Sequence, residues 1–247
     1  MADIVGRPLI TDTDLYTSNA TASSAYQVGD CVGGSRGRTF AYALAGGTAL
    51  VKGNLLQESA NDTTYANMAV GTAAVVGDNF LQITNGTATI TSQQFVGGTV
   101  GVYTAGTVTV GDEYVITRVT GTLTTGGALK VWLDRPVRVA FTTSAKVNMK
   151  RSRCSGVIVF PTTQTGVPVG VAVHEIPANE YGFIQTHGEC TALSDGSTFA
   201  VGSDISSGSG TAGAVTVGTA GTTKCSIGYA RQVAASAKGI AVFLRID

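Results

Sequence analysis

Short apolar runs of β type, separated by Gly, Ser, Thr and Asp, recur along most of the chain. Between residues 54 and 161 these runs are 81–84, 100–103, 113–119, 128–134 and 157–160. β-Branched and aromatic residues fill them, and the 128–134 run alternates apolar and polar positions well. The 157–160 run is continuously apolar and ends at Pro161, which is typical of a strand buried on both faces. The pattern predicts an all-β fold.

The last third of the chain has the most regular spacing. Its five β-type runs, separated by turn residues, are 181–188, 199–204, 214–217, 225–230 and 240–247. Short strands at regular spacing are typical of a small antiparallel barrel or sandwich. We therefore predict β-sandwich or small-barrel modules.

A hairpin and two helical turns complete the local predictions. The dipeptide Asn85-Gly86 lies between residues 81–84 and 88–91, and this arrangement is a strong hairpin signal. Only residues 61–70 and 233–238 have a pattern compatible with a helical turn or two.

Changes in pattern divide the chain into three parts. Residues 1–40 carry isolated hydrophobic residues with no sustained period, so they cannot bury enough surface alone to offset their ordering entropy. We predict that they form an extended N-terminal arm. A middle β-domain over residues 41–150 and a C-terminal β-domain over residues 151–247 follow. The basic run 146–153 marks their boundary. It is either a solvated loop, as charge runs usually are, or a contact with an acidic surface or with nucleic acid.

Composition suits a protein that packs against neighbours. The chain has 33 Gly, 13% charged residues, 43% hydrophobic residues and a formal net charge of zero. Free monomers usually carry more charge for solubility. With no overall positive charge we expect no nucleic-acid partner. No long apolar run is present, and residues 1–7 do not resemble a secretory signal, so we expect no membrane association.

One group of residues has the types needed for catalysis. His187, Glu189 and Cys190 lie within four consecutive positions. In an extended strand residues 187 and 190 point to opposite faces, because three is an odd step. We interpret them as a loop-edge histidine and a packed thiol. The four cysteines are far apart and form no Cys-x-x-Cys pair, so we expect buried thiols rather than disulfides or zinc ligands. We predict no enzymatic activity, no catalytic residue, no metal and no cofactor.

Two parts of the sequence resemble proteins of tailed-bacteriophage heads. Gly37–Gly53 reads G-R-x-F-x-Y-A-x-A-G-G-x-A-L-V-x-G and is similar to the opening of many phage structural proteins. The more extensive resemblance, from Tyr181 to Asp247, is to the head decoration or cement proteins. It comprises the strand Gly182–Gly188, the triplet Val201–Ser203, the strand Ile227–Ala230 and the terminal strand Val242–Ile246.

The resemblance implies a capsid decoration protein that binds the outer surface of a phage head and stabilises the shell against internal DNA pressure. It further implies the major capsid protein as partner and a homo-oligomer, most often a trimer, at local symmetry axes. The protein would be in the host cytoplasm during assembly and on the capsid exterior in the virion. Simple decoration proteins have about the length of the C-terminal module alone, so the middle domain would have a role of its own.

Nine residues are the candidates for contact with the capsid. They are Ile4, Leu9, Ile10, Leu15 and Tyr16 in the predicted arm, and Lys146, Lys150, Arg151 and Arg153 in the basic run. The arm would extend across a neighbouring capsomer and add contacts to those of the body. The alternative is a receptor-binding or adhesive virion protein, such as a head fibre or a tail-associated β-domain. A more distant alternative is a hydrolase that uses His187 and Cys190.

Overall fold

The computed structural model describes residues 8–60, 62–86, 89–104, 112–218, 224–234 and 238–246. The strands are β1 (Cys31–Gly33), β2 (Thr39–Ala45), β3 (Leu55–Gln57), β4 (Met68–Thr72), β5 (Phe80–Thr84), β6 (Thr99–Thr104), β7 (Glu113–Gly121), β8 (Ala128–Leu133), β9 (Lys146–Lys150), β10 (Ser155–Val159), β11 (Pro168–Ala172), β12 (Tyr181–Leu193), β13 (Asp204–Ser207), β14 (Val215–Val217), β15 (Ser226–Ala230) and β16 (Gly239–Arg245). The helical elements in this part of the chain are α1 (Asp12–Leu15) and 3₁₀ turns at Ser35–Gly37 and Thr63–Tyr65. The prediction of an all-β fold is confirmed.

The chain divides into two compact units. Unit 1 comprises Met1–Ala60 and Arg153–Asp247, and unit 2 comprises Asn61–Ser152. The second boundary falls within the basic run, close to the predicted one. The first falls at residue 60 rather than residue 40, because β2 and β3 pair with strands from the C-terminal part of the chain. Unit 2 is therefore an insertion in the sequence of unit 1.

The centre of unit 1 is a closed ring of strands. β2 pairs with β10 in parallel, then antiparallel pairs join β10 to β3, β3 to β11, β11 to β12, and β12 back to β2. Successive side chains of a strand point to opposite faces. β2 is almost wholly buried because an apolar cluster covers each of its faces. Its alanines join one apolar cluster, whereas Phe40 and Tyr42 join another. The first cluster consists of Ala41, Ala43, Ala45, Leu50, Leu56, Cys154, Val157, Val169, Ala172, Ile176 and Ile184.

The β12 strand connects this ring to the remaining strands of the same ten-stranded sheet. Its first half pairs with β2, and from His187 to Leu193 it pairs with β16, which continues to β15, β13 and β14. Gly188 lies at the change of partner with φ +90°, and a Cβ there would lie 3.1 Å from the Cα of Arg38. A glycine is needed for both the backbone conformation and the close approach.

Most of the predicted C-terminal strands are present, with one displaced. The predicted 199–204 strand is wrong, because β13 begins only at Asp204. Phe199 forms an isolated bridge with Ala234, and the chain turns at Gly202 with φ +81° before the strand begins. The apolar residue at 199 is buried as a core side chain without belonging to a strand.

The N-terminal segment, residues 8–38, packs against unit 1. β1 pairs antiparallel with β2, and the backbones of Asn19 and Tyr181 exchange two hydrogen bonds. Leu15, which is 1% exposed, and Val32 join the aromatic cluster on the outer face of β2. The predicted extended arm is therefore wrong for the described part of this segment. Leu15 and Val32 are covered by aromatic rings from β2 and β12, whereas Leu9 and Tyr16 stay exposed. Residues 1–7 lie outside the described residues.

Unit 2 is a closed barrel with the strand order β4-β5-β8-β7-β6-β9. Every second side chain of a strand points into the barrel core. In β8 these are Leu129, Val131 and Leu133, and the residues between them are more exposed. The basic run begins as strand rather than loop, because Val147 and Met149 in β9 are buried in the same core.

The predicted hairpin at Asn85 is also wrong. β5 ends at Thr84 and pairs with β8, and residues 89–91 belong to no strand. Asn85 is buried, and its side-chain amide donates to the carbonyl oxygens of Leu123 and Thr124 at 2.9 Å each. The asparagine holds a neighbouring loop instead of forming a two-residue turn; residues 87–88 lie outside the described residues.

Candidate binding cleft

The predicted contact residues of the N-terminal segment separate into buried and exposed ones. Leu15 is 1% exposed and Ile10 is packed against the same aromatic cluster, so both stabilise unit 1. Leu9 and Tyr16 are 37% and 49% exposed and remain available to a partner. Ile4 lies outside the described residues.

The predicted contact residues of the basic run belong to both units. Lys146 and Lys150 alternate with core residues on β9 of unit 2, and only Lys150 is exposed. The guanidinium of Arg151 lies 6.0 Å from the ring centre of Phe95, as a cation–π contact. Arg153 is exposed and belongs to unit 1. The first part of the basic run is therefore the outer face of β9, and the run is not a single loop between the two units.

The residues with catalytic character lie along β12. The ring of His187 contacts the edge of Phe243 with 5.2 Å between centroids. Glu189 pairs with Arg231 at 2.7 Å. Burial raises the pKa of the Cys190 thiol to about 12, so the thiol is protonated at neutral pH and is a poor nucleophile. This geometry agrees with the interpretation of Cys190 as a packed thiol. The interpretation of His187 as a loop-edge residue is wrong, because it lies inside β12. The expectation of buried thiols is wrong for Cys31 and Cys225, which are exposed.

A cleft with a volume of about 550 Å³ lies within unit 1 beside the change of partner in β12. Tyr16 comes from the N-terminal segment, Arg38 from the residue before β2, and Lys52 from the turn before β3. Gln185 and the stretch Glu189–Leu193 come from β12, and Lys238 comes from the residue before β16. Clefts that hold ligands commonly measure ~300–1,000 Å³.

The buried polar residue of this cleft is Gln185, whose exposure is 0%. Its Nε2 donates to the carbonyl oxygens of His187 at 3.0 Å and Glu189 at 2.9 Å, which fixes the orientation of the amide. Its Oε1 has no hydrogen-bond partner within the described residues. A buried acceptor without a donor is costly, by about 1–3 kcal/mol. Gln185, which borders the cleft, therefore carries an acceptor without a donor among the described residues.

Positive charge dominates the cleft. Arg38 is held by hydrogen bonds to the backbone oxygen and the hydroxyl of Ser35, at 3.3 and 3.1 Å. Lys52 and Lys238 are exposed, and neither ammonium group has an acceptor among the described residues. The one carboxylate in the lining, Glu189, is already paired with a cation. The arrangement favours an anionic group in the cleft.

His174 lies close to this region, two residues beyond β11. Both of its ring nitrogens are buried and lack a hydrogen-bond partner within the described residues. The Tyr16 ring lies 6.4 Å from the His174 ring. Desolvation, with a smaller effect from Lys52, lowers the pKa of His174, so the imidazole is neutral at pH 7.

Within the described parts of the chain, no group of three or more His, Cys, Asp or Glu side chains could hold a metal ion. None of the helices described has the length and apolar character needed to cross a membrane. The chain matches no protein-family model, no curated protein and no solved structure.

The cleft was not predicted from sequence, although residues of both segments with phage resemblance line it. Arg38 and Lys52 belong to Gly37–Gly53, and Gln185 belongs to Gly182–Gly188. The available signal was the presence of polar residues inside otherwise apolar β-type runs. A buried glutamine in such a run is unusual and indicates a special environment.

Proposed function

We propose that this chain is a capsid decoration protein, a non-enzymatic cement on the outer surface of a tailed-phage head. The observation that carries the proposal is that the two segments with phage resemblance adjoin in unit 1. Gly37–Gly53 supplies β2, Gly182–Gly188 supplies the first half of β12, and these strands pair from Tyr181 opposite Leu44 to His187 opposite Thr39. The two segments with phage resemblance therefore form one pair of adjacent strands, rather than two separate parts of the structure.

The surface of unit 1 supports binding to another protein. Leu9 and Tyr16 project from the N-terminal segment, and Val51, which is 51% exposed, precedes Lys52 of the cleft. Aromatic and aliphatic side chains beside cations are typical of protein interfaces. The contact differs from that of a mobile arm, because the N-terminal segment is already folded onto the body and loses little entropy on binding.

Such a protein stabilises the shell by binding its mature form in preference to the disrupted one. At a free concentration one hundred times Kd, each site contributes about 2.7 kcal/mol. Many copies at local symmetry axes, as trimers in the arrangement that the resemblance implies, would together resist the pressure of packaged DNA. The major capsid protein is the proposed partner.

The test begins with the number of copies per particle on a denaturing gel. Hundreds of copies support decoration, a few tens support a fibre, and no copies would refute a structural role. Purified chain is then added to heads that lack it, and the temperature of DNA release is measured. Leu9→Ala/Tyr16→Ala should lower occupancy and protection. Tyr103→Ala in unit 2, at 50% exposure against 49% for Tyr16, is the matched control.

One observation favours the alternative of a receptor-binding or adhesive protein. On unit 2, the rings of Phe80 and Trp132 lie 5.3 Å apart, with Arg118 over Trp132 at 4.5 Å and Lys130 over Phe80 at 5.1 Å. Half-buried aromatic rings beside cations occur at surfaces that bind ligands. A low copy number, together with loss of adsorption in Trp132→Ala, would favour this function over decoration.

A further inference from the structure

The lining of the unit 1 cleft carries more positive than negative charge. The lining contains three basic side chains, Arg38, Lys52 and Lys238, and one carboxylate, that of Glu189. Glu189 already pairs with Arg231 at 2.7 Å. Lys52 and Lys238 have no acceptor within the described residues, and Arg38 is oriented by Ser35 and by the Phe40 ring 5.4 Å away. These charges favour a ligand with at least one negative charge.

The same ligand must also bring a hydrogen-bond donor. Gln185 is fully buried, its orientation is fixed by two carbonyl oxygens, and its Oε1 has no partner within the described residues. Sulfate and acetate carry no donor and would leave this oxygen unsatisfied. A backbone N–H would satisfy it.

Part of the cleft is apolar, which gives a third requirement. Val173, Ala192 and Leu193 contribute to its lining beside the Tyr16 ring. The volume of about 550 Å³ exceeds what a single inorganic ion occupies. A segment of peptide combines a carboxylate, a backbone donor and carbon atoms for the apolar wall.

We infer that this cleft binds an acidic peptide segment through Arg38, Lys52, Lys238 and Gln185. The carboxylate of an Asp or Glu pairs with the basic side chains, and a backbone N–H donates to Gln185 Oε1. Only the source of the segment rests on the proposed function: on a phage head it would be an exposed acidic loop of the major capsid protein.

The test uses the full chain and the probe peptide acetyl-Gly-Asp-Glu-Asp-Gly-amide at low ionic strength. Binding is followed by calorimetry and by the side-chain amide signals of Gln185 in nitrogen–proton spectra. The peptide with Asn and Gln in place of the acids is the first control, and inorganic phosphate is the second. Lys52→Gln and Lys238→Gln are compared with Arg245→Gln, which removes an exposed charge of unit 1 outside the cleft lining.

We expect the acidic peptide to bind and to shift the Gln185 amide signals, and the neutral peptide to bind at least tenfold more weakly. Each lysine variant should weaken binding about twofold to fivefold, as is usual for exposed charge pairs, while Arg245→Gln changes it little. Added salt should weaken binding. Equal losses in Lys52→Gln and Arg245→Gln, or no binding of the acidic peptide, would overturn the inference.

Two further outcomes identify a different occupant and overturn this one. Phosphate that shifts the same signals at the same concentration makes the cleft a small-anion site. Self-association that Lys52→Gln abolishes makes the occupant a second copy of this chain. Because the peptide test needs no heads, its failure is distinct from failure of the decoration proposal, which would appear as wild-type chain that does not bind heads.

Discussion

The packing of Leu15 offers the most direct test of the fold of unit 1. Leu15 is 1% exposed and contacts the cluster formed by Val32, Phe40, Tyr42 and Phe183. Replacing a buried leucine by alanine costs about 2–5 kcal/mol, and more when the walls of the cavity cannot collapse. Three of these neighbours lie on β2 and β12, which pair along most of their common length. We therefore expect Leu15→Ala to lower the free energy of unfolding by about 3 kcal/mol or more.

Leu9→Ala is the matched control, because it makes the same change in the same segment. Leu9 is 37% exposed, and only part of its side chain leaves water on folding. We expect a loss of about 1 kcal/mol or less.

The assay must report on each unit separately. Cys154 is buried in unit 1 and Cys190 is partly buried there, and their alkylation during urea unfolding reports on that unit. Trp132, the single tryptophan, reports on unit 2 through its fluorescence. Equal stability losses in Leu15→Ala and Leu9→Ala would refute the packed N-terminal segment and restore the extended arm predicted from sequence.

Three other predictions concern thiols, pH and a glycine. With a thiol reagent at pH 8, the exposed Cys31 and Cys225 should react at once. Cys154 and Cys190 should react only on unfolding, because burial raises their pKa values to about 11 and about 12. Since the pKa of His174 is lowered from 6.5, the unfolded chain takes up the proton first, so stability should be complete above about pH 6.5 and fall as the pH drops below it. Urea titrations from pH 8 to 5 check this, and a slope that persists in His174→Gln would assign the effect elsewhere. Gly228→Ala should cost about 2 kcal/mol or more, because its φ is +147° and a Cβ would collide with the carbonyl oxygen of Phe243, whereas Gly47→Ala, with open space around it, should change the melting temperature little.

Strands with a clear local pattern could be predicted from the sequence. The 128–134 run became β8 (Ala128–Leu133) and the 113–119 run became part of β7 (Glu113–Gly121), because alternation places one face in a barrel core. The terminal run of unit 1 likewise became β16 (Gly239–Arg245). In each of these strands the buried face is visible in a few consecutive residues.

Features that depend on distant partners could not be predicted in this way. Leu15 and Val32 are single hydrophobic residues in polar surroundings, and only the aromatic face of β2 and β12 explains why they are buried. Asn85 was a turn signal by residue type, yet a loop from another part of unit 2 receives its side chain. The cleft likewise combines Arg38 and Lys238, which no sequence spacing connects.

The pairing of β3 with β10 has a consequence for how this protein can vary. Gln57 lies opposite Ile158 and Leu56 opposite Val159, so the strands that flank residues 61–152 in sequence are hydrogen-bonded neighbours in unit 1. The chain leaves and re-enters unit 1 side by side, so that position accepts any folded module whose two ends lie close together. Unit 1 could therefore hold a different inserted domain in place of unit 2, and this junction is the position at which to insert a foreign domain.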